Sequence, residues 1–401
     1  MLVYEEALAR ILEAMPPSTS ELSPLTNAQD RVLAETALSS MDLPGFDNSS
    51  MDGYAVRSQD VVTATTTAPV PLRLTGKVAA GENSPATVAL GCTLRVFTGS
   101  PLPAGADAVV MQEDTRQVES EPGRIQILEA VRPGENVRLR GEDVKRGQVL
   151  MAAGETFDPG KASLLAAAGV AEVRVNRQPI VGLLATGSEL KLPGQPLEPG
   201  QLYESNRIGL SFLTRRAGGV PLMLPLVADR PDATRQALSD AFSRCDVVVS
   251  SGGVSVGEMD LVKSAFAELG GALDFWKVAI KPGRPFVFGR WQHKFLFGLP
   301  GNPVSALVTF LLLVRPALRR WQGAIDVALP NRLGVLAEPF ANPGERRHFL
   351  RVKVDQEGKV CSAGGQASHL LSSLAAANGL LDVPPCTTLP AGTSVQVIRW
   401  E

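Results

Sequence analysis

Residues 178 to 324 alternate between short apolar runs and amphipathic stretches, and this alternation constrains the fold more than any other feature of the sequence. The apolar runs predict strands, and the stretches between them predict helices because apolar residues recur with helical spacing, as at Val262, Ala265, Phe266 and Leu269. Such a pattern forms a mostly parallel sheet covered on both faces, with the carboxyl ends of the strands at one edge. Ligands bind at that edge, so we expect the functional site there.

The predicted elements of this region follow from its local patterns and turn residues. Strands are predicted at Ile180–Ala185, Pro221–Val227, Asp246–Ser250, Leu273–Ile280 and the pair Phe286–Phe288 and Lys294–Phe297. Helices are predicted at Ser205–Ala217, Pro231–Ser243, Glu258–Leu269 and Pro303–Arg320. From Asn331 onward, short strands return between Pro and Gly turns, which predicts a small barrel-like β domain.

The flanking regions predict additional domains, because 401 residues exceed the roughly 150 typical of one domain. Apolar residues from Leu8 to Met15 have helical spacing, and Thr26 with Gln29 forms a capping-box pattern that predicts a short helix through Ala34. Short apolar runs separated by Gly and Pro turns follow, which predicts a β-rich region, and a further helix is predicted after that region. We expect a multidomain α/β plus β protein with a discontinuous N-terminal domain (residues 1–40 and 141–177), a β-rich insert domain (41–140), a mostly parallel three-layer α/β domain (178–326) and a C-terminal β domain (327–401).

Composition excludes several classes of protein. The formal net charge is −2 at pH 7, which disfavours binding to nucleic acid or to an anionic membrane. The four cysteines and three histidines lack the spacing of a disulfide framework or a zinc site. The N-terminal residues are acidic and amphipathic and show no signal-peptide pattern. We therefore expect a cytoplasmic protein that binds neither nucleic acid nor a membrane.

Five loops follow the predicted strands and share one edge if the sheet is parallel. The loops begin at Thr186, Asp229, Ser250, Lys281 and Gly298. The Ser250–Gly257 loop leads into a predicted helix, where unpaired backbone N–H groups and the helix dipole favour an anion such as phosphate. Its glycines fit neither a Walker A loop nor G-x-G-x-x-G, which argues against an ATPase and a dinucleotide enzyme. A tight βα connection without a ligand remains the alternative.

Charged residues of both signs lie on or beside these loops. Lys277 and Lys281 are four apart in a predicted extended segment, hence on one face and about 13 Å apart, and Arg284 follows in a turn. Carboxylates beside phosphate need a cation, and Mg²⁺ takes such oxygen ligands. The candidate Mg²⁺ ligands are Glu189, Asp229 and Asp260. Taken singly, each of these aspartates equally fits the start of a helix, and a lone lysine equally fits a solvated strand end.

Further candidate residues lie outside this region. The segments Ser50-Met-Asp-Gly-Tyr54 and Arg140-Gly-Glu-Asp143 are acidic, and a plain turn is the alternative for both. Near the C-terminal end, Arg346, Arg347, Arg351 and the Gly365–His369 segment would suit an oxyanion pocket, since guanidinium groups and hydroxyls bind tetrahedral anions. A solvated surface explains them equally well.

Seven motifs, in conserved order along nearly the whole chain, resemble those of the molybdopterin molybdenumtransferases, the molybdenum insertase family of MoeA and the gephyrin E domain. They are PGFDNSSMDGYAV, FTGSPLPAGADAVVMQED, RGEDV, ATGSEL, SSGGVSVGEMD, KVAIKPGRPFVFG and GLPGNPVSA. The resemblance implies a homodimer that inserts molybdate into adenylylated molybdopterin with Mg²⁺, releasing AMP and molybdenum cofactor. It also implies handover of the substrate from a molybdopterin adenylyltransferase.

The resemblance also implies roles for individual residues. Catalytic roles are implied for Asp52, Thr98, Asp143, Glu189, Asp260, Lys277 and Lys281. Substrate-binding roles are implied for Ser250, Ser251, Gly252, Gly253, Ser255, Lys281, Arg284, Pro285, Pro300, Gly301, Asn302, Pro303, Ser305, Arg346 and Ser368. Metal ligation is implied for Asp229, Asp260 and Glu189, and Asp52 is expected to reach the cleft of the partner subunit. Ser188 and Arg284 stand where the family often has Asp and Lys.

Two other functions stay open at this point. A molybdopterin adenylyltransferase would resemble only residues 178–324, and its activity would attach AMP from ATP without molybdate. A gephyrin-like scaffolding protein would assemble partners without catalysis, and an exposed apolar groove in the dimer would indicate it.

Overall fold

The computed structural model describes residues 1–16, 18–82, 86–118, 121–253 and 261–400. A six-stranded sheet lies at its centre. Its strands are β1 (Ile180–Thr186), β2 (Val220–Val227), β3 (Val247–Ser251), β4 (Ala272–Lys277), β5 (Pro285–Trp291) and β6 (Lys294–Leu299). The accompanying helices are α1 (Asn206–Arg216), α2 (Pro231–Arg244), α3 (Leu261–Glu268), α4 (Pro303–Thr309), a π turn (Phe310–Val314) and α5 (Arg315–Trp321).

The central sheet has the strand order β2-β1-β3-β6-β5-β4. The first four strands pair in parallel, whereas β5 runs antiparallel to both of its neighbours. The carboxyl ends of β1, β2, β3, β4 and β6 therefore meet the start of β5 at one edge. The predicted mostly parallel sheet, and the common edge for its five loops, are confirmed.

Helices cover both faces of the sheet. The N-terminal helix Tyr4–Ala14 shares a core with α1, α4 and α5 on one face, while α2 and α3 form a second core on the other. Strand β3 is buried along its whole length, as expected for a strand between two helical layers. This three-layer arrangement places the edge, rather than a face, in contact with solvent. No helix in the described part of the chain is long and apolar enough to cross a membrane.

The helix after β6 continues past Pro316 by widening into the π turn. Pro316 has no N–H, so the carbonyl of Leu312 loses its ordinary helical partner. The hydroxyl of Tyr4 donates to that carbonyl at 3.4 Å, which ties the N-terminal helix to this point. The single helix predicted at Pro303–Arg320 is thus present with a local irregularity.

The helix predicted from Thr26 to Ala34 does not form. Only a 3₁₀ turn is present at Leu25–Asn27, and Asp30 has a φ of +58°, which no α-helix accommodates. The backbone of Leu33 instead forms a bridge to Val175. Pairing with a distant segment therefore overrides the local capping pattern.

Between Leu33 and Val175 the chain forms a second six-stranded sheet. In sheet order its strands are Ala108–Met111, Gly53–Val56, Cys92–Val96, Val70–Val78, Arg124–Ile127 and Thr115–Gln117. Three short antiparallel pairs and one helix surround it: Ser20–Pro24 with Glu172–Asn176, Ala37–Leu38 with Val149–Met151, Asn48–Ser49 with Val137–Arg138, and the helix Pro159–Ala167. The expected β-rich texture is present, while the domain boundaries themselves stay a prediction.

The C-terminal strands close into a β-barrel. Five strands pair in a ring in the order Arg347–Val354, Lys359–Ser362, Asn331–Leu336, Ser394–Arg399 and Gly379–Val383, and the last pairs with the first. The interior is apolar, with Val352 and Val397 both inaccessible to solvent. A two-stranded pair, Phe340–Asn342 with Thr387–Leu389, and the short helix Leu371–Ala376 complete this region.

The strand predicted at Leu273–Ile280 is two strands that belong to different sheets. Strand β4 ends at Lys277, and Ile280–Lys281 pairs in parallel with the first strand of the barrel. The N–H of Ile280 donates to the carbonyl of Val278 at 2.9 Å, a tight turn that ends the extended segment. The inference that Lys277 and Lys281 share one face of a continuous strand was therefore wrong.

Candidate active site

A cleft of about 680 Å³ opens at the edge where the parallel strands end. All five predicted loops contribute to its walls. The predicted site residues on these walls are Glu189, Asp229, Ser251, Gly252, Gly253, Pro285, Pro300, Gly301, Asn302 and Pro303. Ser250 lies buried directly before them at the end of β3, whereas Ser255 and Asp260 fall outside the described residues.

The end of β3 turns sharply at Gly252 and Gly253, whose φ angles are +87° and +67°. Both positions exclude a side chain, because a Cβ on Gly252 would lie 2.7 Å from the carbonyl oxygen of Thr186. The N–H of Gly252 donates to Leu299 at 3.2 Å, so this amide is not free to bind an anion as the sequence suggested. The described part of the loop therefore offers the Ser251 hydroxyl to the cleft.

Two carboxylates, those of Glu189 and Asp229, also line the cleft. Asp229 is held by Ser188, whose N–H donates to its carboxylate at 3.1 Å and whose hydroxyl accepts from its N–H at 3.0 Å. Glu189 folds back over Gly187, where an added Cβ would lie 2.8 Å from one carboxylate oxygen. Ser188 thus holds Asp229 in place.

The loop after β6 connects the cleft to the C-terminal barrel. The amide of Asn302 donates to the Ser368 hydroxyl at 3.0 Å, and the N–H of Val304 donates to the Ser368 carbonyl at 3.2 Å. His369 follows and lines the cleft. The structure therefore brings the Gly365–His369 segment to the edge of the central sheet, as the order of motifs alone could not show.

Arg351 supports this segment from beneath. It is fully buried, and it donates to the Ser373 hydroxyl at 2.8 Å and to the carbonyls of Gly365 and Ala367 at 2.8 and 3.1 Å. Burial lowers the pKa of its guanidinium. A solvated surface, the alternative explanation from sequence, does not apply to Arg351.

The remaining predicted cationic residues lie at or after the end of β4 and at or just before the start of the first barrel strand, and none of them is on the described wall of the cleft. Lys277 pairs in register with Pro285, and its ammonium nitrogen lies 3.8 Å from the ring centroid of Trp276. Arg346 donates to the carbonyl of Ile280 at 3.2 Å, which joins the barrel to the loop of Lys281. Arg284 is exposed, and Ser305 is buried in the first turn of α4.

His348 lies beside Lys281 and gives a pH-dependent prediction. It is 4% exposed, and burial, followed by the charges of Lys281, Arg351 and Arg346, lowers the pKa of its imidazole to about 4. The unfolded chain therefore binds a proton below about pH 6.5 that the folded chain takes up only near pH 4, so stability falls as the pH drops through this window.

We expect the unsubstituted chain to lose about 2 kcal/mol more stability between pH 7 and pH 4.5 than the His348→Gln variant. Urea unfolding at both pH values measures this difference. The comparison between the two chains removes the contribution of carboxylates that also titrate in this range. Equal losses in both chains would contradict a neutral, buried imidazole.

Three predicted catalytic residues, Asp52, Thr98 and Asp143, do not belong to the loops that form the cleft. Asp52 accepts from the N–H and the hydroxyl of Thr98 at 2.8 and 2.9 Å, and these bonds lower the pKa of its carboxyl. Asp143 is exposed, and its N–H donates to the carbonyl of Leu43 at 3.0 Å. Among the described residues that line the cleft, none of these three is present.

Sequence reasoning missed other residues on the cleft wall, including Glu204 and Asn206, whereas His369 belongs to the segment that was already a candidate. Glu204 is buried and pairs with Arg207 at 2.8 Å. Asn206 is the first residue of α1. A signal for Asn206 exists in the sequence, because a helix that follows a parallel strand begins at the edge where that strand ends.

Family models cover most of the chain in three parts. Residues 2–169 match the MoeA N-terminal region (domain I and II), residues 182–320 match the probable molybdopterin binding domain, and residues 334–400 match the MoeA C-terminal region (domain IV). The fold and its edge cleft thus define a multidomain protein built around a molybdopterin-binding domain.

Proteins that are similar to this chain over nearly its full length identify the family within this class. The molybdopterin molybdenumtransferase of Haemophilus influenzae is 38% identical over 384 residues, which cover 94% of this chain and 93% of that protein. Molybdopterin molybdenumtransferase 2 of Mycobacterium tuberculosis is 40% identical over 406 residues, covering 99% and 98%. A molybdopterin biosynthesis MoeA protein of Pyrococcus horikoshii superimposes with a TM-score of 0.86 at 31% identity, covering both chains fully. The chain belongs to the molybdopterin molybdenumtransferase family, enzymes of molybdenum cofactor biosynthesis.

Proposed function

We propose that this enzyme transfers molybdate into adenylylated molybdopterin and releases AMP in a Mg²⁺-dependent reaction. The observation that carries the proposal is the meeting of Glu189 and Asp229 with the Ser251–Gly253 turn in one cleft. Hydroxyl donors suit phosphate oxygens, whereas the carboxylates would repel them without a cation. A cleft of this composition therefore suits a diphosphate that carries a metal ion.

The oxygen donors of the cleft fit a Mg²⁺ ion that the protein and the substrate coordinate together. No cluster of three or more metal-binding side chains occurs among the described residues, and Mg²⁺ is ordinarily held by one or two carboxylates plus substrate phosphates. Glu189 and Asp229 would supply the carboxylates. When bound, the ion would stabilise the negative charge that develops on the departing phosphate.

The chain's own residues then have separable roles in the proposed reaction. The Ser251 hydroxyl would bind a phosphate oxygen, and Lys277 at the end of β4 would stabilise charge on the leaving AMP. Lys281, Arg284, Arg346 and Ser368 would hold molybdate where the loop of Lys281 meets the barrel. No covalent intermediate on the protein is needed, because an oxygen of water or molybdate would attack the phosphorus of the molybdopterin phosphate and break its bond to the bridging oxygen, which leaves with AMP.

A homodimer forms part of the proposal. Asp52, Thr98 and Asp143 do not line the cleft of their own chain among the described residues, so they would act in the cleft of a partner subunit. The substrate would arrive by handover from a molybdopterin adenylyltransferase.

The test supplies the purified enzyme with adenylylated molybdopterin, molybdate and Mg²⁺ and measures AMP by chromatography. We expect AMP release that rises with molybdate and stops when the metal is chelated. Attachment of AMP to molybdopterin from Mg-ATP without molybdate would instead indicate an adenylyltransferase. Absence of both reactions would favour a scaffolding protein.

A further inference from the structure

Asn206 joins two of the loops that form the cleft. Its side-chain nitrogen Nδ2 lies 2.6 Å from the Ser251 hydroxyl oxygen and 2.8 Å from the carbonyl oxygen of Gly301. Asn206 is only 9% exposed, and it lines the cleft from the start of α1. One amide group therefore connects the end of β3, the loop after β6 and the first turn of α1.

The chemistry of these partners fixes the direction of both hydrogen bonds. A carbonyl oxygen only accepts, so the nitrogen rather than the oxygen of the amide must face Gly301. The same nitrogen has no lone pair available to accept a proton, so it donates to Ser251 as well. The hydroxyl of Ser251 consequently acts as an acceptor toward Asn206.

A serine hydroxyl that accepts from one side retains its own proton for a different partner. Ser251 lines the cleft, so the acceptor for this proton is a ligand or a water molecule in the cleft. We propose that Asn206 is a positioning residue that directs the Ser251 O–H toward a phosphate oxygen of the bound substrate. This inference rests on the proposed function, since it specifies how the same cleft recognises a diphosphate.

Unpartnered polar atoms on the cleft wall support the assignment. Asn206 and Thr186 both line the cleft, and the buried atoms Asn206 Oδ1 and Thr186 Oγ1 have no hydrogen-bond partner within the described structure. Buried polar atoms without partners cost free energy, and they are rare except where a ligand or ordered water completes the site. Two such atoms belong to residues on the wall of one cleft, which is consistent with a polar ligand completing it.

The test measures binding of inorganic pyrophosphate by calorimetry to the full-length chain. We expect Asn206→Ala and Ser251→Ala each to weaken binding by about tenfold, the effect of one hydrogen bond to a charged group. The double variant should bind no more weakly than either single variant, because both substitutions remove the same donated bond. Independent, multiplicative losses would overturn the inference.

Gln322 provides a matched control. Its buried side-chain nitrogen likewise donates two hydrogen bonds, in this case to the carbonyls of Ala217 and Leu318, both at 2.8 Å, and Gln322 is absent from the described cleft wall. Gln322→Ala should lower the thermal midpoint about as much as Asn206→Ala while leaving pyrophosphate affinity unchanged. Equal loss of affinity in both variants would show that Asn206 acts only through stability.

A second variant keeps the test decisive if Asn206→Ala does not fold. Asn206→Asp has the same shape, but its carboxylate would accept the Ser251 proton instead of donating to the oxygen, so we expect the same loss. If the unsubstituted chain binds pyrophosphate and the Asn206 variants bind it with the same affinity, the inference is overturned while the proposed function stands. No binding of pyrophosphate by the unsubstituted chain would overturn the proposed function together with it.

Discussion

The double variant Glu189→Gln with Asp229→Asn is expected to release AMP on the order of 100-fold more slowly than the unsubstituted enzyme. Both carboxylates lie on one wall of the cleft, and Ser188 holds Asp229 in place with two hydrogen bonds. Replacing them with amides keeps their shape but removes two negative charges, so the affinity for Mg²⁺ should fall. The measurement is the rate of AMP release across a Mg²⁺ titration.

The chain offers a control with the same change of charge. Glu198 and Asp232 are exposed carboxylates outside the described cleft wall, and the Asp232 side chain is 96% exposed. Glu198→Gln with Asp232→Asn should leave both the rate and the Mg²⁺ requirement unchanged. If the cleft variant kept its Mg²⁺ requirement while the control lost it, the metal site would lie elsewhere.

The second large effect is expected from Gly252→Ala, which should also slow AMP release on the order of 100-fold. Gly252 has a φ of +87°, and a Cβ there would lie 2.7 Å from the Thr186 carbonyl oxygen. The turn must shift to relieve this contact, and Ser251 would shift with it. A displacement of about 1 Å in a substrate-positioning group is enough for a loss of this size.

Gly270→Ala separates backbone strain from the position of the turn. Gly270 has a φ of +82°, but a Cβ there would meet nothing within 4 Å. Both alanine variants should therefore lose about 1 kcal/mol of stability from the left-handed backbone conformation. Only Gly252→Ala should lose activity, and comparable losses of activity in both would refute a specific role for the turn.

Much of the central fold could be predicted because its information is local. The apolar runs of β1, β2, β3 and β6 appear in the structure within about two residues of their predicted ends, and their order fixed the common edge. The family could also be inferred from the sequence, because each of the seven motifs is a short continuous segment. The predicted wall residues therefore converge on one cleft even though they come from five separate loops.

The failures occur where a distant partner decides the local conformation. The capping pattern at Thr26 predicted a helix, but Leu33 bridges to Val175. The apolar run ending at Ile280 looked like one strand, but its last residues pair with Arg347 and His348 in the barrel. Local patterns measure propensity and burial, whereas pairing across such separations depends on the packed core.

The sequence by itself determined the alternating architecture, the edge at which the cleft opens and the acidic residues on its wall. Only the tertiary structure showed that Asn206 donates to Ser251, that Asn302 donates to Ser368, and that Asp52 is not on the described wall of its own cleft. The physical reason is that periodicity specifies which face of an element is buried. The hydrogen bonds that orient a site form between side chains whose separation is fixed only when the elements pack.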